Sequence, residues 1–576
     1  MHRPSDDLDP ATDRNAIPPS IPESISRRDL IHRAAAIGAG GASLHALRNA
    51  APAGAQPLAR PGRPLQRLAP DPKTLTLALD GSPSDLDPHS CYDYRSSMAI
   101  LGPYEPLIGL VGEKTDEYEG ILAESWEANE DKSIWTFRLR DGVTFQDGTP
   151  LDAEAVRLSF ERFLTLGLGP VNVLSRFVAD PKQITTPDGK TVVFDCGRPQ
   201  PLFETAIAST YGVLVVNAKA LKEHEEDGDW GHVWAQTNAE GTGTGAYKIV
   251  EFAPDQQLVM DRNENYWRGW DGDHFDRIVF RVVTEVQTRR QLLEQGEADL
   301  ADDLTAEDRA ALRQNPDLVI HQNLSTQVNY YTMTVAGPLE KPEARQALCW
   351  AFPYQAVIDG VYGGDAKQAA GAVAEMIRGF DPNTFKYTTD LEKARQLLSQ
   401  AGVEEGTKLT ALLESGVEVA KNATELLQAN LTEIGITLEI QTVDLTAFTA
   451  TFYGDAPAEE RPNLMWWGWW PDYNDAWNHL YPQVSCDAWG SKGSNGGFYC
   501  NQQVEDLLTQ ARDAPDLETY QQALSEIQQI LSRDDPPSIY YVQPLWTSYV
   551  RKDIAGFVYN PINIGTFNFW RMSRTV

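Results

Sequence analysis

The chain predicts an α/β protein of more than one domain. Two observations carry this. Its 576 residues exceed what one hydrophobic core normally supports. The stretch 409–467 also alternates between runs of strand and helix character, as an open α/β layer requires.

The elements follow in order. Residues 75–79, Leu-Thr-Leu-Ala-Leu, alternate and predict a first core strand. A loop over 84–89 follows, and Tyr104-Glu-Pro-Leu107 ends a short helix. Residues 135–139 and 191–194 read as strands, with Asp188-Gly189 as a tight hairpin turn. Between them, Val156, Phe160 and Phe163 fall at helical spacing, and Asp152 stands where an N-cap belongs. Strands are expected at 258–260 and 278–283, and helices at 285–295, 340–351 and 391–401. Gly402 is placed to end the last of these in a left-handed turn. Segments 409–414, 417–434, 437–443 and 464–467 read strand, helix, strand, strand. Helices at 504–511 and 517–531 precede a strand at 538–542.

The net charge of -33 repels phosphate backbones and anionic membranes, so nucleic acid is not an expected partner. Ser26-Arg-Arg-Asp-Leu-Ile31 resembles a twin-arginine export signal. A weakly apolar Ala/Gly stretch and Ala53-Gly-Ala55 follow. Residues 1–55 therefore read as a cleavable leader, with Gln56 as the new N-terminus. A basic, Ala-rich tail without an export role is the plainer alternative. Residues 56–72, rich in Pro and Arg, read as a flexible linker. No segment reads as membrane-spanning. Of five cysteines, Cys486 and Cys500 bracket a Gly/Ser/Asn-rich loop and are expected to pair. An odd total leaves at least one thiol free. No Cys/His spacing points to a metal site, and no cofactor is expected.

Several dispersed phrases carry the functional reading. They are Leu122-Ala-Glu-Ser-Trp126, Trp135-Thr-Phe-Arg-Leu-Arg-Asp-Gly-Val-Thr-Phe145, Asp147-Gly-Thr-Pro150, Gly241-Thr-Gly-Thr-Gly-Ala-Tyr247, Asn263-Glu-Asn-Tyr-Trp267 and Trp469-Trp-Pro-Asp-Tyr-Asn-Asp475. In this order they resemble the peptide/nickel class of extracytoplasmic solute-binding proteins that serve ABC importers. The resemblance runs from about residue 73 to about 570.

It implies a two-lobed clamshell with an extra α+β domain. Lobe I would comprise 73–112, 235–325 and 545–576, the extra domain 113–234, and the second lobe 326–544. Chain crossings near 325 and 545 would form the hinge. It implies a monomeric, exported receptor, periplasmic or held at the cell surface. Such a receptor captures a peptide, performs no chemistry, and delivers its load to permease subunits. An oligosaccharide receptor of the same class is the first alternative, and an exported hydrolase the alternative from another class.

The strongest candidate site is Met465-Trp-Trp-Gly-Trp-Trp470 with Asp472. Alternation along a strand sends Trp466 and Trp467 to opposite faces. Gly468 would admit a ligand close to the backbone. The resemblance makes Asp472 the partner of a peptide α-ammonium, with Trp467, Trp469 and Trp470 as the aromatic surround. A turn or N-cap role for Asp472 is the competing reading. Glu105, Tyr331 and Tyr541 are weaker candidates on the same resemblance. Three departures from the family pattern, the all-Trp stretch at Trp466 where some relatives place an Arg for the peptide carboxylate, Thr332, and Ala351-Phe-Pro-Tyr354, favour a less charged ligand such as a modified peptide or a sugar. Gly241-Thr-Gly-Thr-Gly245 is rejected as a phosphate loop, since it lacks the Gly-Lys-Ser/Thr ending.

Overall fold

The computed structural model describes residues 71–575 except 303, 491, 492, 564 and 566. The leader and most of the linker lie outside the described residues. A twelve-stranded mixed sheet organises the rest. It runs from Thr437–Val443 at one edge through Lys408–Glu414, Leu464–Trp469 and Val328–Met333 to Ser538–Arg551. It continues through Leu300–Ala301, Thr74–Leu79, Arg277–Val282 and Gln257–Arg262 to Tyr247–Ala253. Leu318–Leu324 and Ala366–Gln368 also pair with Ser538–Arg551.

That last strand is longer than the sequence predicts. Periodicity marked only 538–542, but the strand continues for 14 residues. Its first part pairs with Val328–Met333 and its last part with Leu318–Leu324. Beside the change of partner, Ser325 N and Oγ donate to Pro544 O at 3.1 and 2.7 Å. Pro544 donates nothing to the ladder, so the pairing changes at a residue that cannot sustain it.

A separate four-stranded antiparallel sheet comprises Ala123–Ala128, Ile134–Leu139, Thr191–Asp195 and Ile184–Asp188 in spatial order. Helix Ala153–Leu166 packs against it, burying Val156, Phe160 and Phe163 with Phe137, Phe194 and Phe203. Asp152 caps this helix by accepting from Ala155 N at 2.8 Å, and Gly167 ends it at φ 62°. Helix Leu391–Ala401 ends as expected at Gly402, φ 81°. By contrast, the helix expected to end at 104–107 stops at Ile100, and Glu105 instead forms a β-bridge with Val215. Pro103 and Pro106 flank that position and remove the amide hydrogens a helix would need.

Arg162 ties this sheet to the loop after the first strand. Its Nη1 and Nη2 donate to Asp87 at 2.9 and 2.6 Å, with both side chains fully buried. His232 Nδ1 lies 2.9 Å from the same carboxylate. Burial alone would raise Asp87, but the His232 and Arg162 contacts outweigh it and hold the carboxyl far below its usual range. Replacing Asp87 by Asn leaves the Arg162 charge buried without its counter-charge. The expected loss is about 3–5 kcal/mol in a chemical denaturation at pH 7.

Candidate functional site

One large cavity of about 2150 Å³ opens beside the C-terminal ends of Lys408–Glu414 and Leu464–Trp469. Its lining includes Tyr92, Asp93 and Arg95 together with 466–470 and Asp472. Ligand pockets commonly measure about 300–1,000 Å³, so this space accommodates more than a single amino acid.

Alternation along Leu464–Trp469 divides its tryptophans. Trp466 turns toward a core with Tyr331 and Leu464, and its Nε1 donates to Tyr541 OH at 2.9 Å. Trp467 turns the other way, stacked on Phe448 and Phe452 with centroids at 5.3 and 5.4 Å. Trp469 packs with Ala476 and Trp477, and Trp470 Nε1 donates to Tyr211 OH at 3.1 Å. Gly468 lines the cavity between them. A Cβ there would come within 2.7 Å of Gln327 Nε2 and 2.8 Å of Asn329 Oδ1, so a larger residue would have to displace these two side-chain amides.

Asp472 sits just past the strand, 7% exposed. Its Oδ1 accepts from Tyr92 OH at 2.7 Å and its Oδ2 from Asn478 Nδ2 at 2.8 Å. Its backbone is pinned as well, with N donating to Asn478 Oδ1 at 2.8 Å and O accepting from Ser209 Oγ at 2.6 Å. Among the described residues no Lys, Arg or His lies within 4 Å of this carboxylate. Burial therefore pushes its pKa up to about 6, although the Tyr92 and Asn478 bonds oppose the rise. Two neutral donors leave lone pairs on both oxygens, so the group can still accept from a cation that enters the cavity.

Three expected site residues lie elsewhere. Glu105 is 8% exposed and does not line the cavity. Its Oε1 accepts from Tyr266 OH at 2.7 Å, and its Oε2 from Thr244 Oγ1 and Trp267 Nε1, both at 2.9 Å. The Gly241–Gly245 turn is structural, because a Cβ at Gly243 would meet Pro103 O at 1.9 Å. Tyr331 is fully buried, bonded to Thr424 Oγ1 at 2.9 Å, and Tyr541 sits beside it in the same core. Their neighbours on the opposite face, Tyr330 and Tyr540, are buried in a second core, so neither strand presents a tyrosine to the cavity here. Conversely, Tyr92 contacts Asp472, although a lone tyrosine in a loop carries no pattern that a sequence reveals.

Cys486 and Cys500 are joined by a disulfide with Cα atoms 4.7 Å apart. Cys91, Cys196 and Cys349 are buried free thiols.

Two expectations follow. Glu105→Gln, which breaks an internal node, should lower the melting temperature while leaving ligand affinity within about twofold. Asp472→Asn should do the reverse. An Asp whose folded pKa is raised favours the fold when protonated, and that contribution is lost as pH rises through about 6. Asp472→Asn should therefore be more stable than the parent above pH 6, by up to about 3 kcal/mol. The advantage should vanish below pH 4, as read from paired denaturation curves.

Comparison with known proteins places this geometry. Residues 117–491 match the family of bacterial extracellular solute-binding proteins, family 5. The chain is 30% identical over 518 residues to a probable D,D-dipeptide-binding periplasmic protein of Escherichia coli K12, covering 89% of this chain and 96% of that one. It is 26% identical over 491 residues to the glutathione-binding protein of Escherichia coli O157:H7, covering 84% and 92%. A Helicobacter pylori periplasmic binding protein solved with the peptide STSA superposes with a TM-score of 0.74 at 23% identity, covering 87% and 98%. The fold is thus the two-lobed α/β fold of periplasmic binding proteins. By the extent of these matches, the chain belongs to the bacterial extracellular solute-binding proteins, family 5.

Proposed function

We propose that this protein captures short peptides through a free α-ammonium group and delivers them to the membrane subunits of an ABC importer. The observation that supports this most is Asp472. It is a buried carboxylate facing a cavity, served by two neutral hydroxyl or amide donors and, among the described residues, no cation. A carboxylate so placed costs stability when ionised unless a cation joins it. A peptide ammonium supplies that cation, with charge-assisted hydrogen bonds worth roughly 1.5–3 kcal/mol each. Trp469 and Trp470 supply apolar and aromatic surface around the same point. The dipeptide-binding relative in Escherichia coli favours the same class of ligand.

In this reading the molecule works by closing. Lobe I (73–112, 235–325, 545–576) and the second lobe (326–544) move about the paired segments near Ser325 and Pro544, with 113–234 as an added domain. Tyr92 of lobe I then meets Asp472 of the opposite lobe, so closure completes the ammonium cradle. The protein is exported through its twin-arginine leader and acts outside the cytoplasm as a monomer, without catalysing a reaction.

The test is calorimetric titration at pH 7.5 with alanine di- to tetrapeptides and their N-acetylated forms. Acetylation should weaken binding by about 10- to 100-fold. Asp472→Asn should abolish that difference. Affinity for the free-amino peptides should also fall about tenfold per pH unit below 6, as Asp472 protonates. Equal binding of free and acetylated peptides, or preferential binding of an oligosaccharide, would remove the ammonium reading.

A further inference from the structure

The disulfide joins two positions that the fold already holds together. Asn495, 2% exposed, lies between the two cysteines in the chain. Its Nδ2 donates to Ser485 O at 3.0 Å and to Tyr499 O at 2.7 Å, and its Oδ1 accepts from Tyr499 N at 3.0 Å. Ser485 precedes Cys486, and Tyr499 precedes Cys500. One side-chain amide therefore bridges the neighbours of both cysteines, in parallel with the covalent bond. Further ties fix the surroundings. Ser494 N donates to Pro482 O at 2.7 Å, Val335 N to Gly497 O at 2.8 Å, and Arg461 Nη1 to Gly496 O at 2.8 Å. Arg461 also lies 4.4 Å from the Phe498 ring centroid. None of these contacts uses a sulfur atom, so all remain available when the thiols are reduced. Ser485, Asp487, Gly493 and Ser494 line the cavity, so this segment is part of its wall.

The two sulfurs sit in different surroundings. Cys500 is exposed, whereas Cys486 is half-buried. Cys500 precedes Asn501, which caps the amide end of helix Gln502–Arg512. Cys486 follows Ser485, the cap at the carbonyl end of helix Ala476–Val484, and its N donates to Glu505 Oε1 at 2.7 Å. The positive end of a helix favours a thiolate, while a negative end and a carboxylate disfavour one. Exposure and charge thus both favour Cys500 as the first sulfur to react. The remaining cysteines are protected from competing. Cys91, Cys196 and Cys349 are buried, and burial pushes all three thiols up.

We propose that Cys486 and Cys500 form a redox-active modification site, closed on the already folded protein by a partner that carries a disulfide. The Cys500 thiolate attacks one sulfur of the partner disulfide, releasing one partner thiolate and leaving a mixed disulfide. The Cys486 thiolate then attacks Cys500 Sγ, which forms the Cys486–Cys500 bond and releases the second partner thiolate. The two thiol protons pass to those thiolates, so the partner leaves reduced by two electrons. Asn495 acts as a positioning residue that keeps the resolving sulfur within reach. The bond then tightens a cavity wall that is already in place.

The test reduces the native protein, removes the reductant and adds oxidised glutathione, with mass mapping of every cysteine over time. The reduced protein should keep its circular dichroism spectrum. The pair should close at least about tenfold faster than in the same protein in denaturant, while Cys91, Cys196 and Cys349 stay free. Asn495→Ala should slow native closure by about tenfold. Should that variant fail to fold, Asn495→Asp, which keeps the volume and removes the donors, takes its place. Cys486→Ser should accumulate a glutathione adduct on Cys500 about tenfold faster than Cys500→Ser does on Cys486. Unfolding on reduction, closure no faster in the native protein than in denaturant, or an adduct that forms as fast on Cys486 as on Cys500 overturns the proposal. So does native closure that is indifferent to the loss of the Asn495 donors.

Discussion

A carboxylate withdrawn from water must find donors or a cation, and this molecule is built around how differently its buried carboxylates meet that demand. Asp87 is paired with Arg162 and His232 and joins the four-stranded sheet to the first-strand loop. Glu105 is saturated by a threonine, a tyrosine and a tryptophan from segments distant in sequence. Both are closed systems that hold the fold together. Asp472 is the open one. Its donors are neutral, its backbone is fixed on both sides, and its free lone pairs face the cavity. The same physics that makes Asp87 and Glu105 structural underlies the ligand role proposed for Asp472.

The placement of Asp472 depends on the sheet. Leu464–Trp469 delivers the Trp row and then releases the chain into the turn that carries the carboxylate. Ser538–Arg551 binds that half of the sheet to the other through one continuous strand whose partners change beside Pro544. A clamshell needs a connection that is strong in tension and soft in bending. In the proposed closure, the strand interrupted by one missing ladder donor serves as that connection.

Much of the secondary structure was legible. Asp152 and Gly402 mark helix ends by chemistry that is local, and the four elements expected over 409–467 are present, with an additional helix Leu445–Phe452 between the last two that the sequence reading lacked. The Trp466–Trp470 row and Asp472, which line the cavity, were legible as a candidate site because aromatic density and an acid next to a turn are visible in a string of letters. Glu105 misled for an equally physical reason. Its three partners come from 139 to 162 residues away, so nothing local reveals that its lone pairs are already filled. Tyr331 and Tyr541 belong to tyrosine doublets, where period-two geometry puts one ring on each face and only tertiary packing chooses which. Tyr92 lies in a loop, which carries no period to read.

The most direct measurement is native mass spectrometry of the protein as purified from its own host, followed by release and identification of what it carries. The account predicts short peptides with an unblocked amino terminus. A sugar, or peptides whose amino ends are blocked, would contradict it.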